Sequence, residues 1–555
     1  MPIRIAPFSK QSSSITFKEQ ESYRLVWYHA LIPVIVIVGA LLVSVRLFDL
    51  TIVKGTYYAT LAEDNSLKEL RIEAKRGTIF DRSGTAIAES TSSGSLDDMR
   101  SITGVRAYPF GASLAHMLGY RQLATPEDIK NYACRVQLTA QDTIGKAGIE
   151  KLFDCELRGT DGYKLVQHDA RGRQVRVLAI KDPRPGESIT LAVDSRLQQD
   201  AYDIIVNNRI KTNKAIDLKE HAISIIATKP TTGEVLTLLS YPSFDPILFE
   251  KRDGKAITAL VKDPRQPLFP RPWLGVYPPG SVFKTTMATA ALEEAAITGD
   301  ETIEDTGEVE AGQQTFGNWF YIRYGKTDGQ VDLVKSLQRS NDIYYYLIGQ
   351  RLQVEGIKKW AHLFGYGSST GLGFPEAEGV VPSAFWKKET IKERWYLGDT
   401  YNLSIGQGYL LTTPMQVHQA NTIIANDGKL CAPLLLKAES RIGATTSHPS
   451  CKPVGIQKET IAIVKEGMSK ACQVGGTGWP FFNWQLPDGR LIPVGCKTGT
   501  AESKQKGHPP HAWFTVFAPF HEPEIHVTIL VEEAGDGSDV AAPIAKEMLT
   551  NYFMR

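Results

Sequence analysis

The sequence predicts an α+β protein tethered to a membrane. It reads as one antiparallel sheet with helices on its faces, preceded by a stalk and a single N-terminal transmembrane helix. Three observations carry this. An uncharged apolar run occupies Leu25 to Val45. A hairpin signal, Ala222 to Thr228 and Glu234 to Ser240 around Lys229-Pro230-Thr231-Thr232-Gly233, lies far ahead of three β-rich runs, Leu491 to Ala501, Ala512 to Ala518 and Glu524 to Glu532. Between these sets the chain reads as helical, which is what a sheet closed by sequence-distant strands and flanked by helices produces.

Composition sets the frame. At 555 residues, 42% hydrophobic and 22% charged, the chain is ordinary globular material for two or three domains. Its 62 Lys plus Arg against 61 Asp plus Glu give a net charge of +1, which excludes polyelectrolyte attraction to nucleic acid. Leu25 to Val45 holds no Asp, Glu, Lys or Arg, and its length is near the about 20 residues that cross a bilayer as a helix. Trp27 and Tyr28 suit the interface, and Arg4, Lys10, Lys18 and Arg24 ahead of the run favour a cytoplasmic N-terminus, although Arg46 and Lys54 blunt the asymmetry. Val43-Ser44-Val45-Arg46 lacks a clear small-residue cleavage site, so an uncleaved anchor is expected rather than a signal peptide.

Beyond the anchor a polar, helix-compatible stretch runs to about Leu70. Alternation from Arg71 to Phe80, then Asp81-Arg82-Ser83-Gly84, reads as a strand closing in a turn. Glu89 to Ser101 is a flexible connection by composition. Tyr108 to Tyr120 and Gly145 to Ile180 carry short mixed elements without a catalytic constellation, and together these pieces form the stalk. A larger domain begins near Gly186, with Ser188 to Leu197 strand-like and Gln198 to Asn208 helix-like, and it closes in a helical tail from Val540 to Phe553. The cysteines, Cys134, Cys155, Cys431, Cys451, Cys472 and Cys496, show no C-x-x-C spacing, which disfavours a zinc site or a dithiol redox motif. Cys431 and Cys451 are candidates for a bridge in an oxidising compartment.

Chemistry is concentrated in three motifs. Ser281-Val282-Phe283-Lys284 follows Tyr277-Pro278-Pro279-Gly280 and opens an alanine-rich run, so Ser281 belongs at the first turn of a buried helix with Lys284 one turn above it. That pairing makes a nucleophile and its base, provided burial or cationic neighbours lower the amine's pKa. Ser340-Asn341-Asp342 offers a hydroxyl to relay a proton and a carboxylate to hold the substrate or Lys284. Lys497-Thr498-Gly499-Thr500 lies on an inferred strand, where Lys497 is a cationic neighbour for Lys284 and Gly499 lets a substrate backbone lie against the strand edge. The threonine hydroxyls can hold a carboxylate, and the N–H groups of Ser281 and Thr500 can form an oxyanion hole. Singly, each motif has an ordinary structural explanation, such as a helix cap or a strand end; in this order and context they name one reaction class.

These residues resemble the class B penicillin-binding proteins, and most closely the elongation-type group called penicillin-binding protein 2. The resemblance extends to Arg76-Gly77-Thr78-Ile79-Phe80-Asp81-Arg82, Ala115-His116-Met117-Leu118-Gly119-Tyr120, Tyr241-Pro242-Ser243-Phe244-Asp245-Pro246, Gly398-Asp399-Thr400, Gly406-Gln407-Gly408 and His511-Ala512-Trp513-Phe514. It implies a cytoplasmic tail over 1–24, a transmembrane helix over 25–45, an elongated pedestal over 46–185 and a transpeptidase domain of the serine β-lactamase-like type over 186–555, with a five-stranded antiparallel sheet. It also implies a peptidoglycan D,D-transpeptidase of cell-wall elongation that acylates Ser281 with the D-Ala-D-Ala end of a stem peptide, releases D-alanine and is a β-lactam target. Trp395 and Tyr409 are implied as lining the cleft. No metal or organic cofactor is implied; the partners implied are a SEDS-type glycosyltransferase and other elongation-complex membrane proteins, with the catalytic domain on the outer face of the cytoplasmic membrane.

Two departures accompany the resemblance. An Arg339-Ser340-Asn341 register would remove the relay serine, and the register ending at Asp342 is preferred. Between Gly84 and Tyr108 the chain is shorter than the family's usual insertion, so a reduced pedestal head is expected. The alternatives are a serine β-lactamase, which must hydrolyse its acyl-enzyme quickly, and a β-lactam receptor or catalytically silent scaffold. His521-Glu522-Pro523-Glu524-Ile525-His526 fails as a zinc-protease motif because its histidines are five apart and a proline interrupts it.

Overall fold

The computed structural model describes residues 26–92, 104–134, 138–169, 171, 173–210, 216–442, 445–446, 448–503 and 507–555. The expected cytoplasmic tail, Leu25 and most of the connection from Glu89 to Ser101 lie outside the described residues. The chain divides into two compact units, residues 1–70 with 163–181, and 71–162 with 182–555.

The smaller unit begins with a helix, Val26–Phe48, extended by one π-helical turn, Asp49–Val53, and followed by a second helix, Gly55–Ser66. Leu31 to Val53 is long and apolar enough to cross a membrane, and its large side chains are exposed around the helix, as lipid contact requires. The helix therefore runs past the expected end at Val45. Arg46 is tolerated there because its guanidinium pairs with Asp49 Oδ2 one turn on, at 2.8 Å. Leu67–Ile72, Gly162–His168 and Gln174–Lys181 form a three-stranded sheet in that order.

The expected pedestal, 46–185, is divided between the two units, and the larger unit opens with residues 71–162 of it. Its four-stranded sheet runs in the order Gly104–Ala107, Ala86–Ser92, Ile79–Phe80, Ile189–Thr190. The expected turn is built by Asp81, whose Oδ1 accepts from the N–H groups of Ser83 (2.8 Å) and Thr85 (2.9 Å). Ile79, Ile87, Leu118, Ile149 and Leu157 pack as one apolar cluster.

The main sheet follows: β1 (Ile223–Thr228), β2 (Val235–Tyr241), β3 (Gly495–Ala501), β4 (His511–Ala518) and β5 (Ile525–Val531). Its order is β2-β1-β5-β4-β3, antiparallel throughout, with Ile223 opposite both Tyr241 and Val531, and Lys497 opposite Thr515. Side chains alternate between two cores. Phe514, Val516, Val527 and Ile529 face the helices Ser195–Val206 and Ala541–Phe553, whereas Trp513, Phe517 and Leu530 face Lys284–Glu293, Asp342–Leu363, Pro414–Ala425 and Lys458–Ala471. Both faces are thus covered, which is why the strands are almost continuously buried. Burial of each such large apolar side chain is worth about 1.5–3 kcal/mol.

Two strand ends differ from expectation. Within Ser188 to Leu197 the strand is confined to Ile189–Thr190, with a single bridge at Leu191, because Asp194 accepts from the Leu197 N–H at 2.9 Å and starts the helix at Ser195. β3 begins at Gly495 rather than Leu491, since Pro493 has no N–H to give a ladder. All six cysteines pair, as Cys134–Cys155, Cys431–Cys451 and Cys472–Cys496.

Candidate active site

Pro278 and Pro279 bring the chain to Gly280, whose φ of +58° and close approach to Thr500 O (2.7 Å from a built Cβ) admit only glycine. Its N–H donates to Gly406 O at 2.9 Å. A 3-10 turn, Gly280–Phe283, then runs into the Lys284–Glu293 helix. Val282 and Phe283 are fully buried and anchor the turn, which leaves Ser281 half-buried at the cleft surface. Ser281 Oγ makes no hydrogen bond among the described residues.

Asp332 caps the helix Leu333–Arg339, which stops at Ser340 in the left-handed conformation (φ 53°, ψ 38°). Asn341 then caps Asp342–Leu363, its Oδ1 accepting from the Tyr344 N–H at 2.9 Å. This break between two helices brings Ser340 and Asp342 together, at a backbone cost of about 1–3 kcal/mol. Lys284 Nζ donates to Asp342 Oδ1 at 2.6 Å and to Ser340 O at 2.8 Å, lies 3.5 Å from Ser340 Oγ, and sits 5.1 Å from the Tyr345 ring centroid. From the sheet, Lys497 Nζ donates to Ser340 Oγ at 2.8 Å and to Thr498 O at 2.9 Å.

Both amines are fully buried. Burial pushes Lys284 below its ordinary value, against the opposing pull of Asp342. Lys497 goes well below, because burial is reinforced by the positive charge of Lys284. Two amines thus share one carboxylate, and among the described residues Lys497 makes no ion pair.

Asp342 is held in turn by residues that no sequence pattern singles out. Its Oδ2 accepts from the Trp319 N–H at 2.9 Å, and its N–H donates to Asn318 Oδ1 at 3.2 Å. The amides of Asn318 and Asn341 both donate to Asp305 Oδ2, at 2.8 and 2.9 Å. Only the Asn341 cap leaves a local signal, a polar residue just before a long apolar helix.

Lys497 to Thr500 lies on β3, the edge strand of the sheet, with one side of its backbone unpaired by any strand among the described residues. Thr498 and Thr477 hydroxyls meet at 2.7 Å, and Thr500 Oγ1 donates to Asp536 Oδ1 at 3.4 Å. The absent Cβ of Gly499 would meet Trp513 Cβ at 2.9 Å, Val282 Cγ1 at 3.0 Å and Pro279 O at 3.3 Å. Glycine is therefore required by packing of the strand on the Ser281 turn.

A cleft of about 1150 Å³ runs past Ser281, Ser340, Asp342, Thr498, Gly499 and Thr500. Lys284 and Lys497 lie beneath it. Trp395 and Tyr409, expected to line it, do not: the Trp395 indole donates to Thr400 Oγ1 at 2.8 Å, and the Tyr409 ring packs on Trp386 (5.5 Å) beside Lys387 Nζ (5.3 Å). The turn into the Leu397–Ser404 helix draws the indole back onto that helix. Phe316, Trp319, Tyr346 and Trp479 supply aromatic walls instead. His526 is buried between the hydroxyls of Thr422 and Thr515 and stacks on His418 at 4.4 Å, its imidazole pushed down by burial to about 3. His511 packs edge-on against Tyr277, with ring centroids 5.5 Å apart.

Known proteins share this arrangement of domains. Residues 223–550 match the penicillin binding protein transpeptidase domain family, and residues 98–191 match the penicillin-binding protein dimerisation domain family. The peptidoglycan D,D-transpeptidase MrdA of Salmonella typhimurium strain LT2 is 32% identical over 81% of this chain and 72% of its own length. The structure of Pseudomonas aeruginosa PBP2 in complex with WCK 5153 has a TM-score of 0.73 at 31% identity, covering 88% of this chain and 97% of that one. A chain from a peptidoglycan synthase complex, solved to show structural coordination of polymerization and crosslinking, has a TM-score of 0.73 at 27% identity, covering 95% of this chain and 98% of that one.

Proposed function

We propose a residue-level mechanism from the premise that this chain belongs to the penicillin-binding protein transpeptidase family and is a peptidoglycan D,D-transpeptidase of cell-wall elongation. Ser281 is the nucleophile. Its Oγ attacks the carbonyl carbon of the penultimate D-alanine, and the N–H groups of Ser281 and Thr500 receive the developing oxyanion. The C–N bond to the terminal D-alanine breaks, its nitrogen takes a proton relayed through Ser340, and an ester to Ser281 remains. An amine of a second stem peptide attacks that ester, returns a proton to the site and restores the Ser281 hydroxyl. A β-lactam carbonyl enters by the same first step, its ring C–N bond opening.

The observation that carries this reading is the convergence of two buried amines on Ser340 Oγ with a single carboxylate, Asp342, beside them. The resting proton is placed on Lys284, which pairs with Asp342 Oδ1 at 2.6 Å, rather than on Lys497, which has no carboxylate partner among the described residues. Transfer of the Lys284 proton through Ser340 Oγ to Lys497 frees Lys284 to accept the proton of Ser281, so one proton serves two amines and charge stays balanced. Such base catalysis is worth about 10²–10⁴-fold in rate.

Thr498, Gly499 and Thr500 form the edge along which the stem peptide lies as an added strand. The apolar helix from Val26 serves as an anchor with its N-terminus in the cytoplasm and the catalytic domain on the outer face. The domain limits follow the sequence reading, with a pedestal of reduced head over 46–185 and the transpeptidase domain over 186–555. A SEDS-type glycosyltransferase is the partner polymerase, together with other elongation-complex membrane proteins; support comes from the similar chain found in a peptidoglycan synthase complex.

The test is fluorescent-penicillin labelling of the full-length protein in detergent, read by gel and intact mass over hours. The expected result is a stable one-to-one adduct that is absent from Ser281→Ala. Labelling that persists in Ser281→Ala would remove Ser281 from its role, and an adduct lost within seconds would make the chain a β-lactamase.

A further inference from the structure

We propose that the Cys472–Cys496 disulfide and the loop 473–478 form a strut that sets the position of Lys497 against Ser340. The proposal rests on the roles assigned above to those two residues. Cys496 immediately precedes Lys497 on β3, and Cys472 caps the C-terminal end of the Lys458–Ala471 helix. Both are buried. β3 is an edge strand, laddered on one side only, so its position on the cleft side has to be held by something other than a second ladder.

The loop after Cys472 supplies that hold in two directions. Toward the strand, the Thr477 hydroxyl meets the Thr498 hydroxyl at 2.7 Å. Toward the Ser340 turn, the Thr477 N–H donates to Gln338 O at 3.2 Å, and Arg339 Nη1 donates to Gly475 O at 2.9 Å. The loop is itself closed by the Gly478 N–H on Ala471 O at 2.8 Å and by Ser538 Oγ on Thr477 O at 2.8 Å.

A ring of contacts results: Cys496, Lys497, the 2.8 Å contact to Ser340, Arg339, Gly475 and back through Cys472 to Cys496. Of its cross-links between segments, the disulfide is covalent and the others are hydrogen bonds that can lengthen or exchange with water. Misplacement of a catalytic group by about 1 Å can cost about 10²-fold in rate. The same ring keeps water from Lys497. A loosened strand would hydrate that amine, return its pKa toward the ordinary value, and move the acid limb of acylation to higher pH.

The other two disulfides do not touch this ring. Cys431–Cys451 is a matched control because it spans 20 residues, against 24 for Cys472–Cys496, so the general effect of each bridge on the unfolded chain is alike.

The experiment measures the second-order rate of fluorescent-penicillin acylation against pH for the full-length protein. It compares Cys472→Ser with Cys496→Ser as a double variant, and Cys431→Ser with Cys451→Ser as another, both confirmed folded by thermal melting at the assay temperature. The first is expected to lose about tenfold or more at neutral pH, with its acid limb moved to higher pH; the second should stay within about twofold of wild type. Equal losses in the two, or an unmoved acid limb in the first, would overturn the strut. Thr477→Val keeps the bridge and removes the Thr498 contact, so it decides the matter if the first variant does not fold. It should show a smaller loss with the same shift, and a wild-type profile would overturn the proposal. Failure of the mechanism itself is separately visible, because wild type would then not label at Ser281.

Discussion

The pedestal and the active site each bury charged groups completely, with different stoichiometry. In the pedestal Glu150 accepts from Arg106 Nε at 2.8 Å and from Arg76 Nε at 2.6 Å, while Arg76 Nη1 pairs with Asp154 Oδ1 at 2.7 Å. Two guanidiniums face two carboxylates, and Arg106 also donates to Gly77 O at 2.8 Å. Burial alone would push Glu150 up, but Arg106 and Arg76 overcome it and hold the carboxyl at about 2. At the active site two amines face one carboxylate, and burial drives both down. Desolvation opposes charge in both places. The partner count and the kind of cation decide the outcome: a guanidinium keeps its proton and fixes structure, whereas an amine can give its proton up and do chemistry.

The largest effect that tests this contrast comes from the same substitution made in both regions. Arg106→Met leaves Glu150 buried with a lost partner and should destabilise by about 3–5 kcal/mol. Lys497→Met removes a desolvated amine and should melt at or above the wild-type temperature, while acylation falls by at least about 10²-fold. Thermal melting and penicillin acylation on the same preparations would read both. A Lys497→Met protein destabilised as much as Arg106→Met would erase the distinction.

Acid stability is the next test. The folded pKa of Glu150, about 2, is below its ordinary 4.5, so its stabilisation is complete above pH 4.5 and is lost as pH falls toward 2. The amount is about 3 kcal/mol. The lowered lysines give a slope of the same sign in a higher pH window: between their folded values and 10.5 the unfolded chain binds the extra proton, and stability rises with pH as a burial penalty is relieved rather than as a stabilising pair is formed. Glu150→Gln should be less stable at pH 7 and should lack part of the acid slope in denaturant unfolding between pH 5 and 3. A slope identical to wild type would mean that Glu150 is not held as described.

The smallest effect comes at the shared carboxylate. Asp342 raises both amines, so Asp342→Asn should let both fall further. The acid limb of acylation then moves to lower pH while the maximal rate declines, opposite in direction to the shift expected from loss of the Cys472–Cys496 bridge. A limb that moves to higher pH would show that Asp342 does not raise the amine that titrates.

By itself the sequence determined the fold class, the long apolar character of the first helix and the family, because these rest on information local to the chain. A run without charge is apolar on every helical face, alternation has a period of two in any strand, and a serine three residues before a lysine shares its helical face. The Asp81 turn was legible for the same reason. The tertiary structure decided which distant surfaces meet. It placed Lys497 on Ser340 across 157 positions of sequence, set Asn318 and Trp319 around Asp342, packed Gly499 onto the Ser281 turn, and carried Trp395 and Tyr409 away from the cleft. It also chose the cysteine pairs. Residue spacing encodes the face on which a side chain lies, but not the depth to which that face is buried or how many opposite charges wait there, and a lysine's charge depends on those two quantities.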